Sequence, residues 1–339
     1  MPGKPRFSII TIIIACLLTG LTTFGVSYCI SKSRLLKMKK ADQLFTTPSP
    51  SVRNLRLKKF QLTQPLLMVE LPDESSDYSD IKQELSLAIE GAKAGGKVSS
   101  ASVFLHDFSN GRWMCINKSE SYDPGSILKL TILLAYLRKA QDHPGLLDRK
   151  LFYTRPFTSM PVQTITGSTI TPGRSYSIRE LIRYMIVESD NQANALLNSS
   201  IEPEYALRVF SDLEMAIPDK DATSLNMTAM EVSRFLRLLF NSSYNSPELS
   251  EFALKILTQV KYDDGIRAAF PPEVTIAHKF GERGFNGNPE RQLHETALIY
   301  LNDRVLLLTI MTRGNDPLIQ AQLLRNLSQI VARRYQGPA

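Results

Sequence analysis

The stretch Asp123-Pro124-Gly125-Ser126-Ile127-Leu128-Lys129-Leu130 carries the strongest local signal in this chain of 339 residues. A proline and a glycine break regular structure just before Ser126, and the apolar residues after it have helical spacing. Ser126 is therefore expected at the start of a helix, with Lys129 three residues later on the same helical face. This arrangement lets a lysine amine reach a serine hydroxyl.

Such a pair has a definite chemical use. A serine hydroxyl becomes a good nucleophile only when a base takes its proton, and a lysine can do so if burial or another cation lowers its pKa. The N-terminus of a helix also favours the developing alkoxide. Ser-x-x-Lys alone, however, also occurs on solvated helix faces, so two further motifs matter.

The first of these is Glu188-Ser189-Asp190-Asn191, which enters a helix and in isolation is also typical of a helix cap. The second is Lys279-Phe280-Gly281 on a probable strand. There a lysine can bind a carboxylate, and the glycine lets a ligand backbone approach. Neither motif is specific by itself.

In their order and spacing the three motifs are far more specific. Ser-Asp-Asn begins about 63 residues after Ser126, and Lys-x-Gly follows after about 90 more. From about Ser99 to Ala332 the chain resembles the class A β-lactamase family, the penicillin-recognising serine hydrolases.

The resemblance implies a role for each matching residue. Ser126 would be the acylated nucleophile and Lys129 its base, and Ser189 would relay the proton to the leaving nitrogen. In the substrate-binding part, Asn191 would hold the substrate amide, Lys279 and Gly281 would face the substrate carboxylate, and the backbone N–H groups of Ser126 and Glu282 would form the oxyanion hole. This chemistry needs no metal and no cofactor.

Periodicity along the chain fits such a domain. Strand-like runs flank Asn110-Gly111 as a predicted hairpin and return near the C-terminus. Predicted helices and strands are helix 79–91, strands 102–108 and 112–116, helices 127–141, 177–198 and 227–240, strands 295–301 and 304–311, and helix 317–335. We therefore predict an α/β (α+β) fold, in which helices flank an antiparallel sheet built from both termini and a helical subdomain is inserted at about 120–258.

One family feature is missing. Members that hydrolyse β-lactams well carry Glu-x-x-Leu-Asn on an Ω-loop, where the Glu positions the deacylating water, and nothing between Asn191 and Lys279 matches it. Glu202-Pro203-Glu204 comes too early and reads as a helix start. The acidic residues in the short segment where the loop would fall are Glu214, Asp219 and Asp221.

The binding strand also departs from the family. Phe280 stands where a Thr or Ser hydroxyl would bind the substrate carboxylate, so Lys279 would act alone or with Arg283 or Arg291. His294 and Glu295 begin the next predicted strand, where polar residues are ordinary; the alternative interpretation is that they approach the site.

The N-terminal region has a different character. From Phe7 to Ile30 about 24 residues carry no charge, enough to cross a hydrocarbon core. A cleaved signal peptide fits less well, because no small-x-small site precedes a polar start. Ile13-Ile14-Ala15-Cys16 resembles a lipoprotein box, but more apolar residues follow it. We expect a tail at 1–6, an uncleaved anchor at 7–30, a basic Pro- and Ser-containing stalk at 31–77, and the catalytic domain at 78–339.

The net charge of +7 belongs to this region. Up to Lys59 there are eleven Lys and Arg against one acid, Asp42, which leaves the remainder slightly acidic and argues against a nucleic-acid partner. Basic residues flank the apolar run on both sides, with more after it, and the positive-inside rule would put the body in the cytoplasm. Cys115 is the single cysteine after the apolar run, so no disulfide is expected there.

The expected function is that of a membrane-anchored serine hydrolase acting on a β-lactam or a peptidoglycan-stem-like amide, with slow deacylation. The alternatives are a penicillin-binding receptor or pseudoenzyme, a D-Ala-D-Ala peptidase and, more remotely, a glutaminase of related fold. If any of these functions is right, the substrate lies outside the cytoplasm, so we expect an extracytoplasmic body despite the charge flanks. The sequence does not indicate an oligomeric state.

Overall fold

The computed structural model describes residues 52–57, 65–96, 98–158, 163–165, 167–217, 225–285 and 287–336. The strands in these ranges are β1 Arg53–Arg56, β2 Leu66–Glu70, β3 Val98–Asp107, β4 Arg112–Ile116, β5 Ser121–Tyr122, β6 Lys150–Tyr153, β7 Arg174–Ser177, β8 Met227–Thr228, β9 Thr275–Phe285, β10 Asn288–Leu301 and β11 Arg304–Gly314. The α-helices are α1 Ser79–Ala94, α2 Lys129–Asp142, α3 Ile178–Val187, α4 Asn191–Ser200, α5 Pro203–Asp212, α6 Ala229–Phe240, α7 Pro247–Leu257 and α8 Pro317–Gln336.

A five-stranded antiparallel sheet with the order β4-β3-β11-β10-β9 forms the centre of the fold. Its strands come from both ends of the folded region, and helices α2 to α7 lie between β4 and β9 in sequence. The predicted α/β (α+β) class, with helices flanking an antiparallel sheet built from both ends, is therefore confirmed.

Both faces of the sheet are covered by helices. Side chains alternate along each strand, so each strand contributes to both buried layers. In β11, Leu306, Leu308 and Ile310 pack with α1 and α8, whereas Leu307 and Met311 pack with the helical insertion. The layer between the sheet and these two helices includes Leu85 and Ile89 of α1 and Leu324 and Leu327 of α8. Helix α2 runs through the middle of the insertion, since ten of its residues in succession are buried, from Lys129 to Arg138.

The structure differs from the predicted stalk at 31–77. Residues 52–57 and 65–77 belong to the same compact unit as the rest of the described chain, because β1 and β2 pair as antiparallel strands and bury Leu55 and Leu67 in the core. The Glu70 carboxylate accepts hydrogen bonds from Arg234 Nε and Nη2 at 2.8 and 3.0 Å, and Arg237 donates to the Val69 carbonyl at 2.7 Å. This strand pair was not predicted from the sequence because its charged residues resemble a solvated linker.

The predicted tail, the anchor at 7–30 and the first part of the stalk lie outside the described residues. Among the helices that the structure does describe, none is both long and apolar enough to span a membrane.

The contact between Glu70 and Arg234 predicts a large effect on stability. The Arg234 side chain is 4% exposed, so Glu70→Ala leaves a buried guanidinium without its partner. We expect a loss of about 3–5 kcal/mol in the free energy of unfolding, measured by chemical denaturation. The matched control is Glu84→Ala, which breaks an exposed pair with Arg333 and is expected to cost at most about 1 kcal/mol. Equal losses of unfolding free energy for the two substitutions would contradict the contact of β2 with Arg234.

Candidate active site

Ser126 lies in a 3₁₀ turn, Gly125–Leu128, that leads directly into α2, and Lys129 is the first residue of that helix. The Ser126 side chain is half-buried, whereas Lys129 is buried. The predicted position of Ser126 at a helix start thus holds, with one tight turn placed before the regular helix.

Strand β9 passes unusually close to this turn. Gly125 has a φ of +53°, which favours glycine, and a Cβ atom there would overlap the backbone of Glu282. A Cβ atom on Gly281 would likewise overlap the Pro124 carbonyl oxygen. The two glycines therefore permit close backbone contact between the segments that contain Ser126 and Glu282. These are the two residues whose N–H groups were assigned to the oxyanion hole.

A buried histidine supports the turn from the sheet side. His294 Nε2 donates to the Asp123 carbonyl at 3.0 Å, and its Nδ1 accepts from the Thr312 N–H at 3.1 Å, which fixes the neutral tautomer. Burial lowers the pKa of His294 to about 3, so it stays neutral. The Asp123 carboxylate also accepts from the Gly125 N–H at 3.0 Å and pairs with Arg283 at 3.0 Å. His294 thus positions the turn that carries Ser126.

The three motifs meet at one atom, the hydroxyl oxygen of Ser189. Lys129 Nζ from α2 donates to Ser189 Oγ at 3.1 Å and also to the Ser189 carbonyl, and Lys279 Nζ from β9 donates to the same Oγ at 3.0 Å. The structure therefore brings Lys129, Ser189 and Lys279 together, as the motif order predicts.

Ser189 reaches this position because the chain breaks between α3 and α4. The sequence predicted continuous helical spacing over 177–198, but α3 ends at Val187 and Ser189 has a φ of +54°, a conformation that costs a non-glycine residue about 1–2 kcal/mol. Asp190 then caps α4 by accepting from the Gln192 N–H at 2.9 Å. Asp190 is thus the helix cap, and the serine before it turns into the site.

The electrostatics of the two lysines follow from this geometry. Both amines bond one oxygen, so they lie within about 6 Å of each other, where two like charges repel by about 3 kcal/mol at an effective dielectric constant of about 20. Burial, opposed by the charges of Asp190 and Glu282, lowers the pKa of Lys129 to about 7. Burial and the nearby Lys129 lower the pKa of Lys279 well below its usual value. At neutral pH the pair does not hold two full charges, and Lys129 is able to accept a proton.

The remaining predicted binding residues lie beside this network. Asn191 is the first residue of α4, directly after the Ser-Asp turn. Gly281 contacts the turn of Ser126 as described, and Glu282 follows it on β9. Phe280 is buried, with its ring centroid 4.1 Å from Lys279 Nζ.

Sequence analysis missed the side-chain role of Glu282. Its carboxylate accepts from the N–H groups of Thr164 and Ile165 at 2.8 and 2.9 Å and from the Thr164 hydroxyl. Next to them, Gln163 Nε2 donates to the Ser189 carbonyl at 2.9 Å. No local motif marks the contacts of Glu282, because they join residues more than a hundred positions apart.

The other candidates have different partners. Glu214, considered as a water activator, pairs with Arg53 of β1. Asp219 and Asp221 lie outside the described residues. Arg283 pairs with Asp123, and Arg291 donates to the backbone carbonyls of Asn288 and Glu290. Glu295 is fully buried and bonds His278 Nδ1 at 2.6 Å.

No cluster of three or more His, Cys, Asp or Glu side chains suited to a metal ion occurs within the portion of the chain that the structure describes.

Comparisons with known structures agree with this architecture. A β-lactamase from Chitinophaga pinensis superposes with a TM-score of 0.64 at 18% identity, covering 75% of this chain and 98% of that chain. A class A β-lactamase from Mycobacterium abscessus has a TM-score of 0.62 at 22% identity, covering 76% and 100%. A PBP-A variant described as an acyl-enzyme complex with penicillin G has a TM-score of 0.64 at 16% identity, covering 79% and 100%. At these identities the likeness shows the fold.

No curated protein matches the chain by sequence. The profile described as "Beta-lactamase enzyme family", in contrast, matches residues 80–335, which include all three motifs and every strand of the central sheet. By this match, and with the fold in agreement, the chain belongs to the β-lactamase enzyme family.

Proposed function

We propose that this protein is a membrane-anchored serine hydrolase that forms an acyl-enzyme on Ser126 with β-lactams or related cell-wall amides and releases it slowly. The observation that carries the proposal is the meeting of Lys129 and Lys279 on the Ser189 hydroxyl. It provides a lysine whose pKa burial has lowered to about 7, one helical turn from a half-buried serine.

The proposed acylation uses only residues of this chain. Neutral Lys129 accepts the proton of the Ser126 hydroxyl while the Ser126 oxygen bonds to the substrate carbonyl carbon. The backbone N–H groups of Ser126 and Glu282 stabilise the negative charge that develops on the carbonyl oxygen. The carbon–nitrogen bond then breaks, and the nitrogen takes a proton through Ser189, whose hydroxyl contacts both lysines. In the family this step opens the β-lactam ring.

Hydrolysis of the resulting ester needs an activated water. Glu214 was one of three acidic candidates for that role, and its carboxylate is engaged by Arg53. This supports slow deacylation. It also supports a second candidate function, a penicillin-binding receptor that stays acylated, and a D-Ala-D-Ala peptidase would share the same first step. Comparing the products from peptidoglycan stem peptides with those from a chromogenic cephalosporin distinguishes these functions.

Acylation is tested by mixing the intact protein with a penicillin and following both the protein mass and ring opening. We expect a rapid burst of about one ring per protein, a mass increase that equals the penicillin, and slow turnover afterwards. Ser126→Ala should abolish labelling, and the matched Ser199→Ala, on an exposed position of α4, should not change it. Labelling that survives Ser126→Ala would refute the assigned nucleophile. Rapid multiple turnover would refute slow deacylation.

Membrane anchoring is supported by the 24 uncharged residues from Phe7 to Ile30. We expect the full chain to stay in the membrane pellet after alkaline carbonate washing, and the double substitution Leu18→Lys with Leu21→Lys to release it. The control carries the same change at two exposed leucines of the folded unit, Leu87 and Leu318, and should remain in the pellet. Protease added to intact cells should digest the folded body if it is extracytoplasmic. A full chain found in the soluble fraction would contradict the proposal.

A further inference from the structure

Glu282 occupies a position on β9 that bears directly on which ligands the site accepts. Successive side chains alternate along a strand, so Phe280 and Glu282 project from the same face, and Glu295 of β10 is paired with Phe280 across the sheet. The Glu282 backbone contacts Gly125, next to the proposed nucleophile. The Glu282 carboxylate bonds segment 163–165, whose Gln163 bonds the Ser189 carbonyl, so a ligand that lies between β9 and Ser189 passes close to this carboxylate.

The Glu282 carboxylate joins the two sides of the site. It accepts the hydrogen bonds from Thr164 and Ile165, and the adjacent Gln163 donates to the carbonyl of Ser189 in the helical part. Segment 163–165 is thus bonded to the sheet at one end and to Ser189 at the other. A ligand that enters between β9 and the helical part has to replace some of these bonds.

The charges around this position disfavour an anion. Lys279 is fully buried, its amine donates to Ser189, and its pKa is well below the usual value. Phe280 supplies no hydroxyl. The two arginines that line the same cavity as Glu282 are engaged, Arg283 by Asp123 and Arg291 by the backbone carbonyls of Asn288 and Glu290. Both Glu282 and Glu295 act on Lys279 through their negative charge. A carboxylate placed along β9 would therefore approach the Glu282 carboxylate at close range, where like charges cost several kcal/mol unless they are compensated.

We propose that Glu282 determines specificity by charge, so that the site prefers acyl donors whose group beside β9 is neutral or cationic over donors that carry a carboxylate there. This inference rests on the proposed acylation of Ser126. It implies that the natural substrate is an amide or ester without a carboxylate beside the scissile bond, and that a penicillin, which carries one, acylates Ser126 more slowly than its neutral ester does.

Every ligand in the test acylates Ser126 by the same reaction. The Ser126 oxygen bonds to the β-lactam carbonyl carbon, the ring carbon–nitrogen bond breaks, and the serine proton ends on the released nitrogen. The ligands are benzylpenicillin, its methyl ester and its dimethylaminoethyl ester, which carry an anionic, a neutral and a cationic group at the same position. The quantity measured is the second-order rate constant of labelling for the full-length protein, from its mass over time.

We expect the methyl ester to label the protein about tenfold faster than benzylpenicillin, which corresponds to about 1.4 kcal/mol of like-charge repulsion, and the cationic ester to be at least as fast as the methyl ester. Glu282→Gln keeps a side-chain oxygen for segment 163–165 and removes the charge. With this variant the rate constants for the methyl ester and for benzylpenicillin should become nearly equal, mainly because benzylpenicillin reacts faster. Glu282→Asp keeps the charge and should keep the ratio of the methyl ester's rate constant to that of benzylpenicillin well above one.

The control Glu273→Gln removes a carboxylate from an exposed residue before β9 and should leave all three rate constants unchanged. Equal rates for acid and ester in the wild-type protein, or a ratio that Glu282→Gln does not change, would overturn the inference while the proposed function stands. Absence of labelling by all three ligands would overturn both.

Discussion

The site depends on one hydroxyl oxygen that two buried lysines share. Lys129 comes from the first turn of α2 and Lys279 from the edge strand β9, so their contacts with Ser189 join the helical part to the sheet. Burial lowers the pKa of both amines, and the nearby Lys129 lowers the pKa of Lys279 further. The same burial that holds the structure together therefore creates a neutral amine beside a serine.

A second contact fixes the nucleophile relative to the strand. Gly125 and Gly281 lack the Cβ atoms that would separate the two backbones, and His294, the cross-strand partner of Gly281, bonds the Asp123 carbonyl. A neutral histidine suits this position, since a charge at a fully buried site would need a partner. Together the glycines and the histidine hold the tight turn that carries Ser126 against β9.

The sequence was sufficient to predict the parts of this arrangement that are local. Helical and alternating patterns gave the fold class, the hairpin of β3 and β4 and the helix starting at Pro203, and the motif order brought Lys129, Ser189 and Lys279 to one site. The break at Ser189 was hidden, because the apolar spacing on either side of it stays helical. The pairing of β1 with β2 was missed since its contact with Arg234 is formed across 164 positions. The bonds between Glu282 and segment 163–165 are equally long-range and equally without a pattern.

The central claim is that Lys129 is a base at neutral pH because burial lowers its pKa. Its most direct test is NMR titration of the side-chain amines in protein labelled with ¹³C-lysine, with the Lys129 signal assigned by its loss in Lys129→Met. We expect the Lys129 amine to titrate with a midpoint at about pH 7, with its neutral form dominant above that pH. A midpoint near the ordinary lysine value of about 10.4 would contradict it.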